Sequence, residues 1–156
     1  MTINHINTME RKLSFFLLLM IPFLAYSQKT DESAKIISLL EKESATWRAG
    51  DGKGHAECWH IQPYSRILIS TATGTTIDVP PAVMTNTNTK KMGNGGSSVN
   101  TNYKMSIQKN TAWVSHDEVS TAKDGTKSYS YEIRMLEKIK GKWKLVGQSI
   151  HIYKSE

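Results

Sequence analysis

Residues 128–153, SYSYEIRMLEKIKGKWKLVGQSIHIY, constrain the fold of this 156-residue chain more than any other stretch. Two runs of alternating apolar and polar residues flank a tight Lys140-Gly141-Lys142 turn, and each run is long enough for a full strand. In an antiparallel pair with one wet face, side chains alternate between core and solvent. On that alternation Ile139, Trp143 and Leu145 share one face, and Lys138, Lys140, Lys142 and Lys144 share the other. The pattern predicts a long terminal hairpin with a basic, solvated outer face.

Residues 1–27 read as an export signal and stand outside any fold argument. Arg11 and Lys12 form a basic start, and residues 13–24 an apolar run broken only by Ser14 and Pro22. Ala25-Tyr26-Ser27 then leads to an expected cleavage before Gln28. The run is shorter than the roughly 20 residues a membrane span needs, so no span is expected after cleavage. Met9 serves as a start as well as Met1 does. The expected mature protein, residues 28–156, is exported, periplasmic or secreted, and is one domain large enough for a core without disulfides. Its basic balance, +6 at pH 7 for the whole chain, suits solubility and mild attraction to anionic surfaces. The basic residues are spread along the chain rather than clustered with aromatics, which argues against nucleic-acid binding. Cys58 is the only cysteine, so an internal disulfide is excluded and a buried thiol is expected.

Residues 30–49 carry the one long helical pattern. Thr30 or Asp31 caps it, Ile36, Leu40 and Trp47 fall on one face, and Gly50-Asp51-Gly52 ends it. A short second helix is expected over residues 54–59, and residues 65–71 (SRILIST) form the first strand after Pro63. Residues 73–100 are crowded with Thr, Asn, Gly, Ser and Lys, and contain Pro80-Pro81. They predict a long mobile loop, centred on residues 85–98, with at most a weak helical turn at residues 82–84. Strands are then expected over residues 102–108, 111–121 and 127–137, joined at Lys109-Asn110 and Asp124-Gly125 and followed by the terminal strand.

This order, with these residues, resembles the nuclear-transport-factor-2-like (NTF2-like) superfamily, specifically its SnoaL-like and DUF4440-type exported bacterial proteins. Three places carry the resemblance. One is the helix over residues 36–47 with Glu43 inside its apolar region. Another is Glu57-Cys58-Trp59-His60-Ile61-Gln62-Pro63-Tyr64, similar to a segment of an exported branch labelled endo-arabinase. The third is Ala112-Trp113-Val114-Ser115 followed by Leu136-Glu137-Lys138 and Gly141-Lys142-Trp143-Lys144-Leu145. No glycosidase carboxylate pair accompanies the arabinase label. The resemblance implies an α+β cone, a curved antiparallel sheet wrapped around the long N-terminal helix, with a pocket at its open end. It also implies a homodimer formed through the sheet.

Several residues bear chemistry. Glu43 lies within one turn of Trp47 and close to the line of Ile36 and Leu40, so it faces inward. A buried carboxylate must be protonated, hydrogen-bonded or paired. It is therefore either a general base on the pocket floor or a structural group bonded to a Trp N–H, a Tyr hydroxyl or a strand arginine such as Arg134. Trp59, His60 and Tyr64 border the pocket mouth in the cone that the resemblance implies, where a stacking indole, a titratable imidazole and a phenol would meet a ligand. Trp59 is equally suited to plug the core, and His60 to sit on the surface. Glu132, Arg134 and His151 are strand residues that face the pocket unless a one-residue bulge reverses them. His116 and Glu118 share one strand face, and Asp117 takes the other. His55, Cys58 and His60 have partial zinc spacing but no second ligand cluster, so no metal and no cofactor is expected.

The function expected is binding of a small hydrophobic or amphipathic molecule, with Glu43, Trp47, Trp59, His60, Tyr64 and His151 around the pocket. Two rivals stand beside it. One is a lyase, isomerase or hydrolase with Glu43 or His60 as general base, and the other is a dimeric interaction module with a vestigial pocket.

Overall fold

The computed structural model describes residues 31–88, 92–93 and 95–156. The chain divides into two compact units, Met1–Ala34 and Lys35–Glu156. Of the first, the described residues 31–34 are helical. The expected export signal over residues 1–27, the start at Met9 and a Thr30 cap lie outside the described residues. Among the described residues no helix is long and apolar enough to cross a membrane.

In the second unit helix α1 (residues 35–49) ends on the glycine expected to end it. Gly50 takes φ +70°. Its N–H reaches the Trp47 carbonyl at 3.1 Å, and that of Asp51 reaches the Thr46 carbonyl at 2.9 Å. This is the paired closure that a left-handed glycine permits. Asp51 then caps helix α2 (Gly52–Ala56) by accepting the Gly54 N–H at 2.9 Å. Ile36 and Leu40, one turn apart, bury their side chains in a core shared with Trp59, Ile67, Val114 and Leu145.

Six strands follow: β1 (Ile67–Ser70), β2 (Thr76–Val79), β3 (Ser97–Gln108), β4 (Thr111–Thr121), β5 (Lys127–Ile139) and β6 (Lys142–Ser155). They form one curved, unclosed sheet in the order β2-β1-β6-β5-β4-β3 against the helix, the α+β cone the sequence implied. Neighbours are antiparallel except β1 and β6, which run parallel.

The region expected to be one long loop is shorter than that. β2 pairs with β1 through a turn at residues 71–75, a 3-10 helix occupies Pro81–Thr85, and β3 begins at Ser97. β2 is hidden in the sequence because it has only four residues, TIDV, and leaves three of their side chains exposed. Residues 89–91 and 94 of the expected loop lie outside the described residues.

The terminal hairpin forms, with one correction to its faces. Lys140 and Gly141 take φ of +49° and +79°, the two left-handed residues of a tight hairpin turn. A two-residue turn sets Ile139 opposite Lys142 and Lys138 opposite Trp143. Lys138, not Ile139, therefore shares the face of the buried Trp143, and its ammonium lies 5.4 Å from the indole centroid. Further along, the register shifts twice: Leu136 pairs with Leu145 but Met135 with Gly147, and Ser130 pairs with Ile152 but Tyr129 with Lys154. Val146 and Tyr153 are thus the extra residues of two β-bulges. The first bulge decides which side chains of β6 face the helix.

Candidate functional site

The inner faces of β4, β5 and β6 carry a ladder of polar residues. Register places Val114 opposite Arg134, His116 opposite Glu132, Glu118 opposite Ser130 and Ser120 opposite Ser128. Across β5, Arg134 faces Gln148 and Glu132 faces Ile150. These positions share the parity of the buried Ala112, Val114 and Leu136, so the strands carry their charged groups inward. Between them and α1 lies a partly open cavity of about 430 Å³. β1, β2, the segment 81–85 and β6 supply apolar lining with Ile69, Val79, Val83 and Ile150, β4 and β5 supply polar lining with Glu118, Ser120, Ser130 and Arg134, and α1 adds Trp47 and Arg48.

Its floor is an ion-pair network. Glu43, 6% exposed, accepts from His55 Nε2 at 2.9 Å and from Trp59 Nε1 at 3.3 Å through one oxygen, and from Arg134 Nη1 at 3.3 Å through the other. Arg134 also donates to Gln148 Oε1 and Glu132 Oε2. Glu132 in turn accepts from Ser130 Oγ at 3.1 Å. His55 Nδ1 lies 3.1 Å from the Met84 carbonyl. Burial by itself pushes the Glu43 carboxyl up, yet the Arg134 guanidinium and the His55 and Trp59 donors together hold it below the usual range. Burial likewise disfavours the Arg134 charge, but the Glu132 and Glu43 carboxylates outweigh it and raise its pKa.

Nearer the opening, Arg48 donates from Nη2 to Glu118 Oε1 and from Nη1 to Ser120 Oγ, each at 2.8 Å. Glu118 is 8% exposed. Burial first, and repulsion from Glu132 second, push its carboxyl up to about 7 despite Arg48. His116 is 2% exposed, with both ring nitrogens unbonded and Glu132 Oε2 at 3.6 Å. Burial holds it below its ordinary value.

The structure brings together only part of the expected set. Glu43 and Trp47 line the cavity. Trp59 lies in the hydrophobic core, tied to the site by its indole N–H on Glu43 and by ring contact with His55 at 6.2 Å. His60 is exposed, and its backbone N–H bonds Leu145 O at 2.9 Å. Tyr64 is 65% exposed and donates to Glu137. His151 is exposed on the opposite face of the sheet, across from Tyr131, because the Val146 bulge reverses β6 and turns Gln148, Ile150 and Ile152 inward instead. Of the residues weighed for zinc, His55 serves Glu43, and Cys58 donates to Gly54 O at 3.4 Å with its thiol pushed up to about 11 by burial. Among the described residues no group of three or more His, Cys, Asp and Glu side chains is arranged to hold a metal ion.

Arg48, Glu118 and Gln148 were not among the expected pocket residues. For Glu118 a signal was present: it shares the parity of Ala112 and Val114 on β4. Arg48 lies four residues after Ser44, on the stripe that also carries Trp47. No such signal marked Gln148, whose direction depends on the bulge.

A helix cradled in a curved, mostly antiparallel sheet with a cavity between them defines a cone-shaped class of small domains. Solved structures share it. An NTF2-like protein of unknown function from Shewanella baltica is 14% identical, with 80% of this chain and 96% of that one covered at a TM-score of 0.59. For an NTF2-like protein from Cytophaga hutchinsonii the values are 16%, 75%, 94% and 0.57. For a candidate scytalone dehydratase from Novosphingobium aromaticivorans they are 12%, 84%, 90% and 0.61. No protein-family model matches the sequence, and no curated protein matches it. At these identities the likeness is one of fold, and the chain has the NTF2-like fold.

Proposed function

We propose that this protein binds a small amphipathic molecule in the cavity between α1 and the inner face of β4–β6. The apolar body lies against Trp47, Ile69, Val83 and Ile150, and the polar end points toward Arg48 and Glu118. The observation that carries this reading is a cavity of about 430 Å³ lined by both apolar and charged side chains. That size and composition suit a small-molecule site. Native mass spectrometry of protein purified from expressing cells, with a thermal-shift screen, tests it. A retained molecule or a ligand-dependent rise in Tm is expected. An empty protein with no shift at millimolar ligand overturns the reading.

One observation favours a second reading, general acid–base catalysis on the bound molecule. Glu118, on the cavity wall, is pushed up to about 7 by burial and the neighbouring Glu132, where a carboxyl exchanges protons near neutrality. In this reading Glu43, held in its ion pairs, and His60, exposed, are not the base. Turnover with an apparent pKa near that value, lost in Glu118→Gln, is the expected result. Recovery of unchanged ligand after incubation with the wild-type protein leaves binding alone.

Export through residues 1–27 and a homodimer formed through the outer face of the sheet complete the proposal. A mature protein beginning at Gln28 in the periplasmic or culture fraction supports export. A full-length cytoplasmic chain contradicts it.

A further inference from the structure

Resting on the reading of this cavity as a small-molecule site, we infer that its ligand is a small amphipathic monocarboxylate. Its carboxylate replaces Glu118 as the partner of Arg48, and Glu118 takes up a proton from solvent as the ligand enters.

The first support is a shortage of acceptors. Among the described residues that line the cavity, the buried side-chain polar atoms without a hydrogen-bond partner are Nε of Arg48 and Nε of Arg134. Both are donors, so the missing group is one that accepts. A ligand amine would leave both Nε–H groups without an acceptor.

The second is the difference between the two arginines. Arg134 is enclosed by Glu43, Glu132 and Gln148. Arg48 has one carboxylate, Glu118, and one hydroxyl, Ser120, and its side chain keeps 17% of its surface exposed. It is the guanidinium with capacity to spare, and a planar fork suits a carboxylate in two-point contact.

The third is that Glu118 is a reluctant counter-ion. Glu43 and Arg48 face it from α1, Glu132 and Arg134 from β5, and His116 precedes it on its own strand. The two arginines favour its charge. Burial and the two carboxylates oppose it and prevail, leaving Glu118 half-protonated near neutrality. A ligand carboxylate that pairs with Arg48 lets Glu118 take up a proton, which removes the repulsion of Glu118 by Glu132 and Glu43. Glu118 then becomes neutral and Arg48 keeps one anionic partner. No covalent bond changes; one proton moves from solvent to Glu118.

Isothermal titration calorimetry with hexanoate, hexanol and hexylamine, in two buffers of different ionisation heat, tests this. Hexanoate is expected to bind at least about tenfold more tightly than hexanol, and hexylamine more weakly than either. Uptake of about one proton per hexanoate is expected at about pH 8, falling toward zero at about pH 5.5 where Glu118 is already protonated. Glu118→Gln is expected to bind hexanoate without proton uptake, and Arg48→Gln to lose the preference for hexanoate over hexanol. Hexanol or hexylamine binding as tightly as hexanoate overturns the carboxylate assignment and leaves the cavity reading standing. Hexanoate binding to the wild-type protein without proton uptake at the higher pH overturns the displacement of Glu118. Failure of all three probes to bind, with no molecule retained in native mass spectra, overturns both this inference and the cavity reading.

Discussion

At the scale of single residues, two glutamates a short distance apart are driven in opposite directions by their surroundings. Glu43 is surrounded by donors and held ionised, whereas Glu118 is buried beside other carboxylates and held partly protonated. Removing one member of a buried pair strands the other, so Glu43→Gln is expected to cost about 3–5 kcal/mol of unfolding free energy in urea denaturation. A change of a few tenths would mean that water compensates Arg134. The two groups also give opposite pH slopes. The folded-state pKa of Glu43 lies below its unfolded value, so its contribution is present above the ordinary carboxylate range and is lost as pH falls through the folded value. The folded-state pKa of Glu118 is raised from 4.5 to about 7. Its contribution is therefore complete below 4.5 and is lost as pH rises toward about 7, on the order of 3 kcal/mol in all. Wild-type stability measured against Glu118→Gln is expected to decline across that window, and a pH-independent difference between them would exclude the shift. Glu43 was recognisable from its place on a helical wheel. A Trp N–H and Arg134 were legible as partners for it, and Trp59 and Arg134 take those places, whereas His55 on α2 was not.

At the scale of elements, alternation and turn chemistry were legible, and register was not. α1, β4 and the hairpin strands could be read from period and glycine placement, whereas β2 had too few residues and too little burial to show. The Val146 bulge is the most consequential irregularity, because every inward residue of β6 beyond it depends on that one insertion. Deleting Val146 restores simple alternation, turning His151 inward and Gln148, Ile150 and Ile152 outward. That variant is expected to lose cooperative unfolding, whereas Val146→Ala keeps it; circular dichroism melts distinguish the two. A second element-scale feature is the entry to β3. Gly96 has φ +83°, and a Cβ there would lie 2.1 Å from the Thr121 carbonyl oxygen of the neighbouring strand. Gly125 has φ +87° with nothing within 4 Å. Gly125→Ala is thus expected to cost about 1–2 kcal/mol from backbone strain alone, and Gly96→Ala clearly more. Equal losses in chemical denaturation would show that β3 relaxes away from β4.

At the scale of the whole molecule, the outer face of the sheet exposes Trp113, Tyr131, Met135 and Tyr153, with Tyr131 and Tyr153 stacked at 4.6 Å. An apolar sheet face of this kind suits a protein partner, and the proposed homodimer would cover it. Tyr131→Lys is expected to convert a dimer to a monomer in light scattering without changing the melting of the isolated domain; a wild-type protein that is monomeric at all concentrations removes that proposal. The sequence by itself determined the strands with strong alternation, the long helix, the turns that join them and the inward direction of Glu43, because each follows from local period and backbone preference. It also carried enough pattern to imply the cone. The three-dimensional structure alone decided that β1 runs parallel to β6, that a two-residue turn moves Lys138 to the face of Trp143, and that one bulge exchanges His151 for Gln148 at the cavity. It also gathered Arg48, His55, Glu118 and Arg134 from four elements around one cavity. Local sequence encodes conformation over a few residues, whereas register and the pairing of buried charges depend on contacts between residues as many as 91 positions apart, as Arg134 and Glu43 are.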